Sequence, residues 1–421
     1  MKSRTVIILW AIALVLGIAA YVVKFHGEED HSTRTKLAPG DRLYENLPVR
    51  QVAKVTISQG NSSTHLVKGK DNEWGVAERD DYQVNYELLR NLLGALNDLE
   101  VTQGYPASSE HFGRFGLADE TSKEDSELGY FGAVRVTMSA EDGTKLAEVL
   151  LGKYSGTSRV GGRFVRIDGD DSGVYAVGQT FPGVTAEPKD WLNKDFIKFD
   201  QIQSITLTAP DDPSFTGWKL VRPTTQGQFK VADLSDQELM KLTSTNTLRD
   251  LFNYAAFQDV ISGKKAAELA NPDVKLKRKA VISTFDGLTY TLVFWPQKDE
   301  PKDKDADPRL PAVQPKYLLT IAVDAEFPKT RNKSADEKPE DAQALDARFK
   351  QQQILAREKL ALAERLQGRI FQISQSVISP LQKKRADFVT AKNRPSASTP
   401  PVQVPAQPAP THPLQPLPPQ R

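Results

Sequence analysis

One succession of patterns occurs twice in this chain, and that repetition restricts its architecture more than any single motif. "VAKVTIS" at Val52 alternates Ala53, Val55 and Ile57 with Lys54, Thr56 and Ser58, the period of a half-buried strand. "IQSITLT" at Ile202 repeats the alternation with Ile205 and Leu207. "STHLVKGKDNEWGVAE" then reads as a hairpin turning at Lys70-Asp71-Asn72, and its "WGVAE" at Trp74 is matched by "FKVAD" at Phe229. Asn85 is the expected N-cap of a helix striped with Leu88, Leu89, Leu92, Leu93, Leu96 and Leu99. In the second copy, Ser235 and Glu238 form a capping box for an expected helix carrying Leu239, Leu242, Leu248, Leu251 and Phe252. Residues 133–178 read as an antiparallel meander with a turn at Asp142-Gly143, and Asp286-Gly287 marks the matching hairpin. "SGVYAVG" at Ser172 pairs with "GRIFQIS" at Gly368, and "PKDW" at Pro188 pairs with "RADF" at Arg385. A wide leucine stripe needs a sheet to lie on, so the expected class is α+β, with two tandem duplicated domains of antiparallel sheet and a packed helix.

The expected organisation runs as an N-terminal transmembrane anchor (1–26), a tether (27–46), a first repeat domain (47–200), a second (201–393) and a disordered proline-rich tail (394–421). That tail holds ten prolines in 28 positions. The second domain carries two additions. One is a charged loop, Lys298 to Pro315; the other is a long helical stretch, Glu340 to Gln367, stopped by Gly368. The long stretch is expected to carry a partner contact, with packing on its own domain or projection as a solvated arm as the alternatives.

The uncharged run from Thr5 to Val23 would span roughly 28 Å as a helix, close to the hydrocarbon thickness of a bilayer. A cleaved signal peptide with a small-x-small site at Gly17-Ile18-Ala19 is the rival reading, opposed by the apolar continuation through Val22 and Val23. Lys2 and Arg4 before the run, against "HGEEDH" after it, place the N-terminus in the cytoplasm and the body outside it, at the inner membrane. The chain has no cysteine, which removes disulfides, thiolate chemistry and Cys-ligated metals. With 55 Lys and Arg against 54 Asp and Glu, no overall field points to nucleic acid.

"LYENLPVRQVAKVTI", "EWGVAERDDYQV", the leucine helix, "FGRFGLADE", "LLGK", "GRFVRI", "GVYAV" and "KDWL" follow one another in an order that resembles the bacterial domain of unknown function 4340 family. The resemblance covers most of residues 43–200 and, more weakly, 202–390. The chain departs from the family in its second copy, its inserted helix and its tail. The resemblance implies a single membrane anchor, no known catalytic residue and a membrane-protein partner, with components of gliding-motility-like ABC-type transporters as the candidates.

Candidate chemistry is sparse. His26 and His31 bracket "GEED" in the tether, which lacks the ordered backbone a metal site needs; His65 and His111 stand without partners in sequence. "DGDDSG" at Asp168 and "DKDAD" at Asp303 open like calcium loops, but Gln179 and Pro308 stand where the loop chemistry needs Glu and Gly. "VGGR" at Val160 has no helix after it to hold phosphate, and Glu141 and Asp142 belong at a hairpin tip. Trp74, Trp191, Trp218, Trp295 and Phe229 suit a core better than a carbohydrate platform. No catalytic, cofactor-binding or metal residue is assigned and no cofactor is expected. The expectation is a non-enzymatic, membrane-anchored extracytoplasmic accessory or scaffold protein, bound to the bilayer through residues 5–23. An extracytoplasmic glycan or small-ligand receptor is the alternative, and an unrecognised hydrolase the third reading.

Overall fold

A computed structural model describes residues 34–118, 132–156, 161–271, 273–298, 314–331 and 337–392. The expected anchor (5–23), His26 and His31, "DKDAD" and the proline-rich tail lie outside the described residues. Among the described residues, no helix is long and apolar enough to cross a membrane.

The first sheet contains β1 (Lys54–Gln59), β2 (Ser62–Lys68), β3 (Trp74–Val76), β4 (Tyr82–Gln83), β5 (Val101–Pro106), β6 (Val134–Ser139), β7 (Lys145–Tyr154), β8 (Arg163–Ile167) and β9 (Gly173–Val177). Helix α1 (Tyr86–Asn97) lies between β4 and β5. Asn85 caps it by accepting from the Leu88 amide at 3.1 Å, which satisfies one otherwise orphaned donor. Leu89, Leu92, Leu93 and Leu96 of the stripe are buried, and Leu99 just beyond the helix joins them. The alternation in β1 is observed as read, with Val55 and Ile57 fully buried.

The second half contains β10 (Ile202–Thr208), β11 (Trp218–Val221), β12 (Lys230–Val231), β13 (Glu238–Met240), the single turn α2 (Asn246–Arg249), β14 (Phe257–Ile261) and α3 (Gly263–Leu269). These are followed by β15 (Arg278–Thr284), β16 (Leu288–Pro296), β17 (Lys316–Ala325), α4 (Pro339–Leu366), β18 (Ile370–Ser374) and β19 (Val389–Ala391).

The first sheet runs β4-β3-β2-β1-β6-β7-β8-β9-β5 and the second β12-β11-β10-β15-β16-β17-β18-β14. Set β3 against β12, and every later neighbour corresponds. The registers agree as well. Val55 faces Leu66 and Met138, where Ile205 faces Leu220 and Ile282. Val165 faces Tyr175, where Leu319 faces Phe371. Even the irregularity after Val101 in β5 recurs after Phe257 in β14. The same bookkeeping sets Trp74 against Phe229, because Gly75 faces Val67 as Lys230 faces Val221.

The capping-box helix is overturned. Ser235 does donate to Glu238 from both its amide and its hydroxyl, at 3.1 Å each, but the motif closes a turn that leads into strand β13. That strand pairs with β19, and Leu239 is 49% exposed. The reason is tertiary: Arg385 grips Glu238 from the far end of the chain, and the Lys241 amide bonds the Phe388 carbonyl. In the first half the Asn85 amide bonds the Trp191 carbonyl, so Lys241, not Ser235, stands where Asn85 does. Helical structure starts only after it, as a 3-10 turn and α2, and Leu248, Leu251 and Phe252 there are buried.

One further reading is corrected. The expected tether is bound to the body from its thirties onward: the Gly40 amide bonds the Val101 carbonyl, the Leu43 amide bonds the Leu99 carbonyl, and Leu43 is buried. The long helix is found as read, ending at Gly368 with φ +76, the left-handed conformation that glycine adopts without strain. It is not wholly an arm. Ala356, Ala363 and Leu366 are buried against the body, whereas no residue from Pro339 to Leu355 is.

The halves meet around aromatic side chains. Tyr82 of β4 packs edge-on against Phe257 and Phe371, at 5.7 and 6.2 Å between ring centres, and Phe196 of the connecting segment touches both phenylalanines. Beside them Arg79 makes a two-pronged ion pair with Asp259, at 2.6 and 2.9 Å, with both side chains nearly buried.

Candidate functional site

A cleft follows this junction along the C-terminal half of α4. One end, of about 430 Å³, is walled by Trp74, Asp81, Gln83, Asn193, Asp195 and Arg365. The next section, of about 520 Å³, lies between Lys194–Asp200, the Asn253–Ala255 loop, Tyr290 and the helix residues Lys359 and Leu362. Its walls thus come from the β2–β4 edge, the connecting segment, a loop after α2 and the inserted helix. None of these is near another in sequence.

The local chemistry explains how the walls are held. Arg369 donates to the carbonyls of Arg79 and Asp80, at 3.3 and 2.7 Å, and its guanidinium lies 5.4 Å from the centre of the Tyr82 ring. Burial drives the Tyr82 hydroxyl above the ordinary tyrosine range, and the Arg369 charge only partly opposes this. Lys359 reaches Asp200 at 3.0 Å and Asp286 at 3.1 Å, fastening α4 to the second sheet. Desolvation alone would lower its pKa; the hydrogen bond to Asp200 and the charge of Asp286 outweigh it and raise the group. Lys194 is drawn below the ordinary lysine value by desolvation, with its ammonium 4.5 Å from the Phe257 ring centre and donating to the Gln258 carbonyl at 2.9 Å.

Backbone strain gathers here too. Asp81 and Gln201 line the cleft with φ of +54 and +51, and Phe252, at φ +64, precedes the loop wall. A left-handed phenylalanine costs about 1–3 kcal/mol and persists only where packing over-determines it. The next residue but one, Tyr254, is 97% exposed at the rim.

The structure brings few of the sequence candidates to this place. His65 sits on β2 with Nδ1 2.5 Å from Glu78, and His111 bonds Ser108 at 3.1 Å. Among the described residues no three His, Asp or Glu side chains gather as metal ligands. In "DGDDSG" the carboxylates diverge: Asp170 accepts from Ser172 and Tyr175, Asp168 pairs with Lys145, and Asp171 pairs with Arg166. Glu141 and Asp142 are exposed in the β6–β7 turn. Trp191 and Trp218 are buried and donate to the carbonyls of Thr185 and Lys383, and Phe229 is fully buried, as core residues should be. Trp295 is half-buried, and so is Trp74, which forms a wall of the cleft. Sequence reasoning missed Tyr82, Asn193, Lys194, Lys359 and Arg369, whose only signal is their position beside the junction.

These features define a two-sheet α+β protein with a polar, aromatic-walled cleft where its halves join. The chain belongs to the domain of unknown function 4340 family, whose profile matches residues 74–305, more than half of its length. The match starts at Trp74 of the cleft and runs through the junction into the second sheet. No curated protein and no solved structure matches the chain significantly.

Proposed function

We propose that the chain is a membrane-anchored extracytoplasmic accessory or scaffold protein. On this reading it consists of two copies of one α+β unit, with the inserted helix and the adjoining cleft as the docking surface for a membrane partner. The duplication rests on the shared strand order, register and bulge. The anchor rests on the apolar run Thr5–Val23, and the expected partner class, ABC-type transport components, rests on the family resemblance alone.

The observation that carries the docking role is the division of α4. From Ala356 onward it is fastened to the body, while Ile354 and Leu355 immediately before are 51% and 46% exposed beside the cleft. Apolar side chains held out on an anchored helix suit recognition better than folding. Replacing the whole of residues 336–367 would strip Ala356, Ala363 and Leu366 from the core, so the informative test is local. A photo-crosslinking residue at the exposed Gln351, one turn before Leu355, should capture a membrane protein in native membranes, and Ile354→Asp with Leu355→Asp should abolish the capture without unfolding the chain. Capture that survives the double substitution would remove α4 from the docking role.

Trp74 favours one second reading. An indole framed by Asp81, Gln83, Asn193 and Asp195 offers a stacking face with hydrogen-bonding groups around it, suited to a glycan or small polar ligand. Tryptophan fluorescence titrated with soluble oligosaccharides, and its loss in Trp74→Ala, would test this.

A further inference from the structure

Away from the cleft, the loop joining β11 to β12 holds a buried cation that no carboxylate neutralises among the described residues. Arg222 is 8% exposed, and its guanidinium lies 5.2 Å from the ring centre of Phe229 and 5.6 Å from that of Phe285. Its Nε is buried with no hydrogen-bond partner, and among the described residues no carboxylate pairs with this arginine. The neighbouring charge has the wrong sign for a structural ion pair. Arg249, at the end of α2, donates to the Gly227 carbonyl of the same loop at 3.1 Å, and after desolvation its charge is what further lowers Arg222. The loop between them carries the exposed Thr224, Thr225 and Gln226.

A desolvated guanidinium without an anion is costly, and a second guanidinium beside it adds to the cost. The arrangement makes sense when an anion completes it. Two positive groups, neither ion-paired with a carboxylate among the described residues, call for a dianion rather than a single carboxylate, and planar guanidinium donors suit the oxygens of a phosphate. We propose that Arg222 and Arg249 form a binding site for a phosphate group, with Arg222 preset between two phenyl rings and Arg249 closing from the exposed side. The first sheet lacks this site: Lys68 and Glu141 stand at the positions of Arg222 and Phe285.

The full chain, purified in a neutral detergent, is heated with inorganic phosphate, with chloride at equal ionic strength, or in micelles doped with phosphatidylglycerol. Phosphate should raise Tm in a saturable manner where chloride does not. A response to the doped micelles alone would assign the phosphate to a lipid headgroup, and a response to the free ion would assign it to a soluble phosphate. Arg249→Gln, at an exposed position, should weaken the response about tenfold or more, as expected for a lost charge-assisted hydrogen bond. Arg222→Met keeps the side chain's length in the phenyl slot and should abolish the response; if it fails to fold, Arg249→Gln decides. No phosphate-specific shift in the unmodified chain, or a full shift in Arg249→Gln, would overturn the site.

Discussion

The two sheets agree strand for strand and differ in what fills the space between equivalent strands. The first half has a capped, leucine-faced helix of three turns after β4, whereas the second has one 3-10 turn and four helical residues after β13. The second half invests its helix elsewhere, in the 28 residues of α4, which replace the short "DGDDSG" turn between equivalent strands. Sheets tolerate this because their register is set by cross-strand partners, while the connections lie outside the ladder. The comparison teaches that the sheet is the constant element and the helices are where the halves diverge.

The largest expected effect concerns the contact that joins them. Asp259→Ala leaves Arg79 uncompensated in a nearly buried place and should destabilise by about 3–5 kcal/mol in denaturant melts. Gln103, the counterpart of Asp259 in the first sheet, is exposed, and Gln103→Ala should cost less than about 0.5 kcal/mol. Equal costs would mean that the ion pair contributes nothing special to the junction.

The aromatic counterparts come next. Phe229→Ala should cost about 3–5 kcal/mol as a large core truncation, and Trp74→Ala about half of that, since the indole is only half-buried. A loss at Trp74 equal to that at Phe229 would return the tryptophan to the core and weaken the ligand reading of the cleft.

The helix starts give a smaller contrast. Asn85→Ala removes a true N-cap and should cost about 1 kcal/mol, whereas Ser235→Ala, with no helix to cap, should fall within about 0.5 kcal/mol of zero. The smallest effect is a titration. The hydrogen bond from Arg385, helped by the Ser235 amide, holds Glu238 at about 2. Because this folded value lies below the ordinary one, the stabilisation is present above the unfolded pKa of about 4.3 and is lost as pH falls toward 2. Carbon-detected NMR of the Glu238 carboxyl should show this midpoint, and Arg385→Gln should return it to the ordinary range.

The strands were legible because alternation is local: Val55 and Ile57 announce their burial in a stretch of six residues. The helix after Ser235 was misread because S-x-x-E makes the same hydrogen bonds in a turn, and the choice between the two was made by Arg385, far along the chain. The cleft was illegible for a related reason. Trp74, Asn193, Tyr254 and Lys359 carry no mutual spacing, and only the packing of the two halves brings their walls together. Trp74 was assigned by analogy with Phe229; equal register gave it an equal backbone position and said nothing of the neighbour on its open side.

The contact between the halves also has a direction. The outer strand of the second sheet, β14, leans on the β4 side of the first, so the joining surfaces are two different faces of similar units. A head-to-tail arrangement of that kind has no built-in end, and repeated between molecules it would grow a filament. The first sheet's own outer strand, β5, is where the next molecule would add, and that berth is taken. Residues 40–43 bond along its start, and Thr35 lies so close to Gly104 that any side chain there would collide with it; Val260 occupies the corresponding place in β14. The segment leading in from the N-terminus therefore covers the strand edge to which a further unit of this kind would have to add.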